Sequence, residues 1–532
     1  MSRLSILTAG LAVLLAGCAT APEPPQSPAD LRSTHGFLRA SLATGKDKPE
    51  PLKLRRISDG ITVKLQAQPA HGRWSVGLWL PEGEYEFPSL VQANGQKYSP
   101  IRVERGRVTD LGAVLDLQVG GYEYLTVAID HPEASADLDA ALRELQPHLS
   151  NMEPLKWSTP SPPKPQTIPT PTSSLGLVAD LLLAFERHVN KPPLRERLKE
   201  AKTASEAYRL ALTGIAPDTD EPGIDAAGAL YFGGALGQIR RRSPNGEWTN
   251  LDTGTLESIT AVEVDGNRLM AGTSSGTIRV SDDGGVTWRR LVTLDVGLPV
   301  VDIDRVGLRW IVITEDSSVN PILEHVRDLK RLRVYSATAP TLVDLALVRE
   351  ARVGPGPIFT HWGMGVRGQA AEDGASYYVN GFTELAQISL TNLQWKTLKP
   401  PQSVVTRFGV SKDGRILTVL QGKGIASKLS VSTDGAQTWS VLEAPPRVAL
   451  DAHFESLSDG HAVRVIAGML SVKIEFLKYD PAANRWIMTH EAPAGCRRLL
   501  LGAENRQRFC VTSGGSVLDY ADKQWKVEFA NY

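Results

Sequence analysis

Cysteine is scarce in this chain, with three residues in 532. Cys18, Cys496 and Cys510 are too few for a disulfide-stapled scaffold, and no Cys-x-x-Cys or His/Cys cluster offers a zinc site. Aromatic residues make up only 6%. Neither sign of charge dominates, since 58 Lys plus Arg face 59 Asp plus Glu. That balance excludes a broad nucleic-acid footprint and a polybasic membrane patch. The one strong apolar run, Leu4 to Leu15, is shorter than the ~20 residues a spanning helix needs. The G-x-x-x-x-G-K-[ST], G-x-S-x-G and H-E-x-x-H patterns are absent, so phosphate-loop, serine-hydrolase and metalloprotease chemistry have no foothold. No motif asks for a cofactor or a metal.

What is present is enough apolar residue, 42%, to bury a real core, in a chain long enough for two or three domains. Pro (35) and Gly (47) are plentiful, as turns between short strands require. At the N-terminus Arg3 precedes the apolar run, and Leu15-Ala16-Gly17-Cys18 follows it. This resembles the lipobox of bacterial lipoproteins. The resemblance implies that residues 1–17 are a signal peptide, removed before Cys18, with lipid on the Cys18 thiol and on the new amine. Ala19, where inner-membrane lipoproteins often carry Asp, points to the outer membrane of a Gram-negative envelope. The alternative is an ordinary secretory signal with an incidental cysteine. Residues 18–33, Pro-rich and polar, read as an extended tether. In an oxidising compartment Cys496 and Cys510, flanking two strand-like runs around a turn at 503–506, are expected to pair across a hairpin; free buried thiols are the alternative.

Residues 34–130 alternate apolar and polar, as half-buried strands do: Ile61 to Leu65, Trp74 to Leu80, Tyr122 to Val127. The segment Leu80-Pro81-Glu82-Gly83-Glu84-Tyr85-Glu86-Phe87 resembles the "Leu-Pro-x-Gly-x-Tyr" hairpin of small β-sandwich modules related to the carboxypeptidase regulatory domain. The resemblance covers about fifty residues and implies a non-catalytic spacer, with Tyr85 and Phe87 facing its core. Residues 131–174 read as a helix (Ala134 to Leu149) and a linker with seven prolines between Pro154 and Pro171. At about 3.1 Å per residue such a linker is expected to hold the two halves tens of ångströms apart. Residues 175–213 read as a helical pair, Leu175 to Val189 and Pro193 to about Leu212, interrupted by Pro192 and Pro193. Its expected buried stripe is Leu194, Leu198, Ala201, Ala207 and Leu210. Packing on the C-terminal body is the expectation, and a partner-binding hairpin the alternative.

Residues 214–532 read as all β. Trp248, Trp288, Trp395, Trp439, Trp486 and Trp525 recur at steps of 40, 107, 44, 47 and 39 residues, each after a turn. One unit can be read whole: strands over 259–264, 268–273, 277–281 and 287–292. The turn before Trp288 is Ser281-Asp282-Asp283-Gly284-Gly285-Val286-Thr287-Trp288, and a looser copy runs from Ser432 to Trp439 with Asp434 and Thr438 in place and Ala436 for the second Gly. Both resemble the Asp-box (BNR) repeat of sialidase-type and sortilin-like β-propellers. The resemblance implies a mainly β fold with a propeller of seven blades (six as the alternative), the box lying on the rim away from the ligand face. Asp283 and Asp434 are therefore expected to accept backbone N–H groups of their own turns, Gly285 to supply the torsion, and Trp288 and Trp439 to pack between neighbouring blades.

A sialidase of this fold needs three arginines around the substrate carboxylate and a tyrosine nucleophile. The Phe/Tyr-Arg-Ile-Pro segment that carries its early arginine is missing. Arg407 and Arg464 stand singly in strand patterns, Arg240-Arg241-Arg242 reads as a solvated run, and Tyr377 and Tyr378 read as packing residues. Phe359-Thr360-His361-Trp362-Gly363-Met364-Gly365-Val366-Arg367-Gly368 breaks the strand rhythm, and His361, Trp362 and Arg367 are the first candidates for ligand contact. The expected role is binding of a protein partner or glycan by an anchored envelope protein. The alternative is a carbohydrate-active glycoside hydrolase.

Overall fold

The computed structural model describes residues 28–44, 51–70, 73–88, 99–120, 123–129, 131, 154–156, 168–169, 194, 197–198, 204–219, 221–295, 297–319, 326–352, 357–359, 367–371, 374–381, 385–401, 405–410, 417–421, 428–442, 453–458, 461–467, 472–480, 483, 485–493, 496–502, 507–512, 515–521 and 523–529. The protein is mainly β. Cys18, His361, Trp362 and the helices expected over 134–149 and 175–189 lie outside the described residues. Among the described residues no helix is long and apolar enough to cross a membrane.

The N-terminal part stacks two sheets. One is built on His35–Thr44, flanked by Arg73–Pro81 (antiparallel) and Val108–Gly120 (parallel). The other runs Thr62–Leu65, Leu52–Arg56, Gly83–Glu86, Ile101–Val103. Leu38, Ala40, Leu54, Leu65, Val76, Tyr85, Phe87 and Ile101 share one core between them. Tyr85 and Phe87 thus point inward as their spacing predicts. The turn before them is not a hairpin, however. Arg73–Pro81 belongs to one sheet and Gly83–Glu86 to the other, so Pro81 and Glu82 form a corner. The Tyr85 hydroxyl donates to the Pro81 carbonyl at 2.8 Å and pins it. Across the parallel pair, Arg39 and Asp110 are register partners and form a buried ion pair at 2.7 Å.

Two further expectations need correction. The end of the 18–33 tether is helical, over Pro28–Thr34. The proline-rich segment does not leave the sandwich cleanly. Pro154–Lys156 adds a parallel strand to Val108–Gly120, and Ile168–Pro169 pairs with Glu123–Ile129 at the sheet margin. Proline lacks the N–H that a central strand must donate, so strand starts and margins are where it fits.

In the stretch predicted as helical from Pro193, the described residues 194, 197 and 198 are helical, and helix Ala204–Leu212 follows them. Leu194, Leu198, Ala207, Ala211 and Leu212 are buried, and Leu210 is partly buried.

From residue 223 on, the described residues form seven successive antiparallel sheets, each of four strands in chain order, the third carrying a fifth strand, Pro357–Phe359. The tryptophans mark the phase. Trp248, Trp395, Trp486 and Trp525 stand at the start of fourth strands, and Trp288 and Trp439 one residue before them. The third sheet (strands Val300–Val306, Arg309–Val319, Val326–Ala337, Ala346–Arg352) has no such tryptophan, which accounts for the 107-residue step.

Neighbouring sheets share apolar cores. Tyr231 and Ile239 meet Val262 and Leu269; Met270 and Ile278 meet Val300 and Trp310; Ile311 and Val334 meet Tyr377 and Val379; Tyr378 and Leu385 meet Phe408 and Leu417. The first strands of the fifth and sixth sheets lie against each other. At the next junction His490 stacks on Tyr520 at 3.7 Å, and the Trp525 indole donates to the Glu491 carbonyl. The last sheet packs on the first through Phe509, Val511 and Val517 against Leu230 and Phe232. The Arg240-Arg241-Arg242 run, predicted as a solvated face, is instead part of these contacts. Arg240 and Arg242 are buried, Arg241 donates to the Tyr231 hydroxyl, and Arg242 forms a two-pronged ion pair with Glu528 of the last sheet at 2.5–2.6 Å.

Candidate functional site

The turns predicted from sequence form as their residue types require. Ser281 ends its strand and donates to Asp283 Oδ1 at 2.7 Å, while its own oxygen accepts the Gly285 N–H at 2.8 Å. Asp283 Oδ1 accepts the N–H groups of Val286 and Thr287 at 3.1 and 2.9 Å, and the Thr287 hydroxyl donates to Oδ2. The Trp288 indole donates to the Gly285 carbonyl at 3.0 Å, and its ring packs into the core shared by the first two sheets. The copy repeats the Ser, Asp and Thr bonds, Ser432 to Asp434, Ala436 to Ser432, Gln437 and Thr438 to Asp434, but the Trp439 indole N–H makes no bond equivalent to that of Trp288. Hydrogen bonds from Thr287 and Thr438 hold both carboxyls down at about 2. Asp344 closes the corresponding turn of the third sheet with bonds from Thr338 and Ala339, and it too is held at about 2. A carboxylate engaged by three or four donors of its own turn and held at about 2 is a staple, ionised at neutral pH and so without a proton to give.

Sequence reasoning missed a different group of acids. Asp302 and Asp304 alternate along Val300–Val306, the first strand of the third sheet, so both project from one face. Glu263 stands in the first strand of the second sheet, Ile259–Asp265, at the register position equivalent to Asp304: Glu263 opposes Met270 and Asp304 opposes Ile311, each four positions into a bulged pairing. Glu221, just ahead of the first strand of the first sheet, is close enough for its charge to act on Asp302 and Asp304. From the fourth sheet, the Gly368 N–H donates to Asp302 Oδ2 at 2.7 Å, and the buried Tyr377 hydroxyl donates to Asp304 and lies 3.3 Å from Asp302. The Arg305 N–H donates to Glu263 Oε1 at 3.0 Å. Four successive sheets thus converge on one carboxylate cluster.

Burial, and then the mutual repulsion of the acids, raise their proton affinity. Glu263 is pushed up to about 8, first by burial and then by Asp304. Burial raises Asp304 to about 6 and Asp302 well above the carboxylate range. Burial also pushes the Tyr377 hydroxyl up. Glu263, Asp302 and Asp304 each keep part of their surface accessible although protein encloses them, whereas Tyr377 is fully buried. Partial access with heavy enclosure fits groups lining a narrow interior passage. A signal existed in the sequence: Asp302 and Asp304 at alternate positions among Val300, Val301, Ile303 and Val306 of a first strand.

Of the predicted ligand residues, Arg367 opens the strand Arg367–Ala370, next to the Gly368 that touches Asp302. Arg407 lies in the first strand of the fifth sheet and Arg464 in the second strand of the sixth, so the two do not occupy equivalent positions. Tyr378 packs as predicted, accepting from Gln387 at 3.2 Å. Cys510 is buried and disulfide-bonded, and Cys496 stands on the antiparallel neighbouring strand. Among the described residues no group of three or more His, Cys, Asp or Glu side chains is arranged to hold a metal ion. No family model matches the chain, and no curated protein matches it.

Proposed function

We propose that residues 214–532 are a seven-bladed Asp-box β-propeller, carried by a lipid-anchored protein of the Gram-negative outer membrane, and that the propeller binds a protein partner or a glycan. Seven consecutive four-stranded sheets, each packed on the next and the last on the first, support the propeller reading. The Leu15-Ala16-Gly17-Cys18 segment supports the anchor, and the pairing of Cys510 is assigned to Cys496. The observation that carries binding over hydrolysis is Tyr377. Its hydroxyl is fully buried and engaged by Asp302 and Asp304, so it cannot attack a substrate. Arg240, Arg242 and Arg333 are likewise engaged by carbonyls and carboxylates of the chain.

One observation favours the second reading, a glycoside hydrolase using two carboxylates. Glu263, pushed up to about 8, holds its proton at neutral pH and keeps some access, as a general acid must, while Asp304, raised to about 6, is mostly ionised there and stands as the second carboxylate. The deciding experiment exposes the anchored protein and its Asp304→Asn variant to a glycan panel. Retention of a glycan or envelope protein without turnover, in parent and variant alike, is expected. Turnover by the parent that the variant lacks would reverse the assignment. The anchor is tested separately: Cys18→Ala should leave the outer-membrane fraction, and a variant that stays there overturns lipidation.

A further inference from the structure

Helix Ala204–Leu212 sits between the sandwich and the first of the seven sheets, and its residues belong to both. One continuous core contains Ala113, Leu115, Val127 and Ile129 of the sandwich, Ala207, Ala211 and Leu212 of the helix, and Leu236 and Leu256 of the first-sheet end. His131 meets Tyr208 edge-on at 6.4 Å. At the helix C-terminus, where carbonyls lack intrahelical donors, Arg240 of the first sheet donates to the Leu212 and Ile215 carbonyls, the former at 2.7 Å.

A second, independent feature is backbone strain. Leu236, in the turn between the second and third strands of the first sheet, has φ +53°, although it is neither Gly nor Asn. Its side chain is buried in the shared core. A leucine keeps such a torsion only where packing over-determines it. Leu256 lies in the link to the second sheet, and the Gly237 N–H donates to the Glu257 carbonyl, so both leucines are at the same end of the sheet. The strand Arg367–Ala370 is likewise entered from the end bearing the links between sheets.

We propose that helix Ala204–Leu212 clamps the sandwich onto the link-bearing end of the seven-sheet body, making the two modules one cooperative unit rather than beads on a flexible linker. The sandwich then stands over the first sheet at the end from which Arg367 and its strand begin, and a ligand reaches that end from the side of the later sheets. This clamp does not depend on what the body binds.

Scanning calorimetry and hydrogen exchange on the full chain test it. The parent should unfold in a single transition. Leu236→Gly relieves the backbone torsion but removes the buried side chain. If the clamp holds, this variant lowers the midpoint or splits the transition, and amides of 204–212 exchange about tenfold faster. If the body is autonomous, Leu236→Gly leaves the midpoint unchanged or raises it, and the proposal fails. Two independent transitions in the parent would also overturn it. Arg240→Met, which keeps the stem and drops the two carbonyl bonds, should speed exchange at 204–212 alone; unchanged exchange there counts against the clamp.

Discussion

Two kinds of carboxylate occur in this protein, and their environments push them in opposite directions. Asp283, Asp344 and Asp434 are solvent-facing but engaged by donors of their own turns, and each is held at about 2. A carboxyl more acidic in the folded than in the unfolded chain contributes stability above the unfolded value, near 4. That contribution is lost as pH falls from about 4 to about 2. Asp283→Ala should therefore lower the melting temperature at pH 7, and the difference from the parent should close by pH 2 in a thermal melt series. Glu263 and Asp304 behave inversely. Their proton affinity is raised by folding, to about 8 and about 6. Their contribution is complete below about 4 and declines as pH rises through 6 to 8. Asp304→Asn should flatten that decline, and a variant whose melting curve against pH overlays the parent's would remove the cluster from the account.

At the scale of the element, the two Asp turns form a natural comparison. Gly285 has φ +95°, and a methyl group there would meet Leu251 Cδ1 at 2.7 Å. Ala436 holds the equivalent position at φ +65° with a side chain that L-residues accommodate poorly in that region. Gly285→Ala should destabilise by about 1–3 kcal/mol, torsion and overpacking together. Ala436→Gly should gain about 0.5 kcal/mol, the relieved torsion offset by the freer unfolded chain. Urea titration of the pair gives opposite signs on this account; equal signs would contradict it. The turns themselves were readable from sequence because a Ser, an Asp and a Thr at fixed spacing satisfy one another locally. The corner at Pro81 was misread because Pro and Gly describe a bend equally well whether the next strand returns to the same sheet or crosses to another.

For the whole molecule, the contact between the last sheet and the first rests on side chains. All four strands of the first sheet come from residues 223–252 and all four of the last from 496–529. Arg242 and Glu528 join them, the Trp248 indole donates to Glu528 at 3.2 Å, and the rings of Phe232, Trp248, Phe509 and Phe529 lie 5.8–6.3 Å apart in successive contacts. Arg242→Ala would strand a largely buried Glu528 carboxylate, and a loss of about 2–4 kcal/mol is expected in denaturant unfolding. A loss no greater than that of an exposed arginine would mean that the aromatic contacts suffice. The period of the repeat, the turn staples and the strand-rich class are legible from residue order alone, because these depend on neighbours within a few residues. It takes the packing of the whole chain to bury Arg240 and Arg242, to bring strands of the proline-rich segment to the sandwich, and to make Glu263, Asp302, Asp304 and Tyr377 meet. Each of those facts joins positions dozens to hundreds of residues apart, and pairing across such distances is set by how the sheets pack, which local spacing does not record.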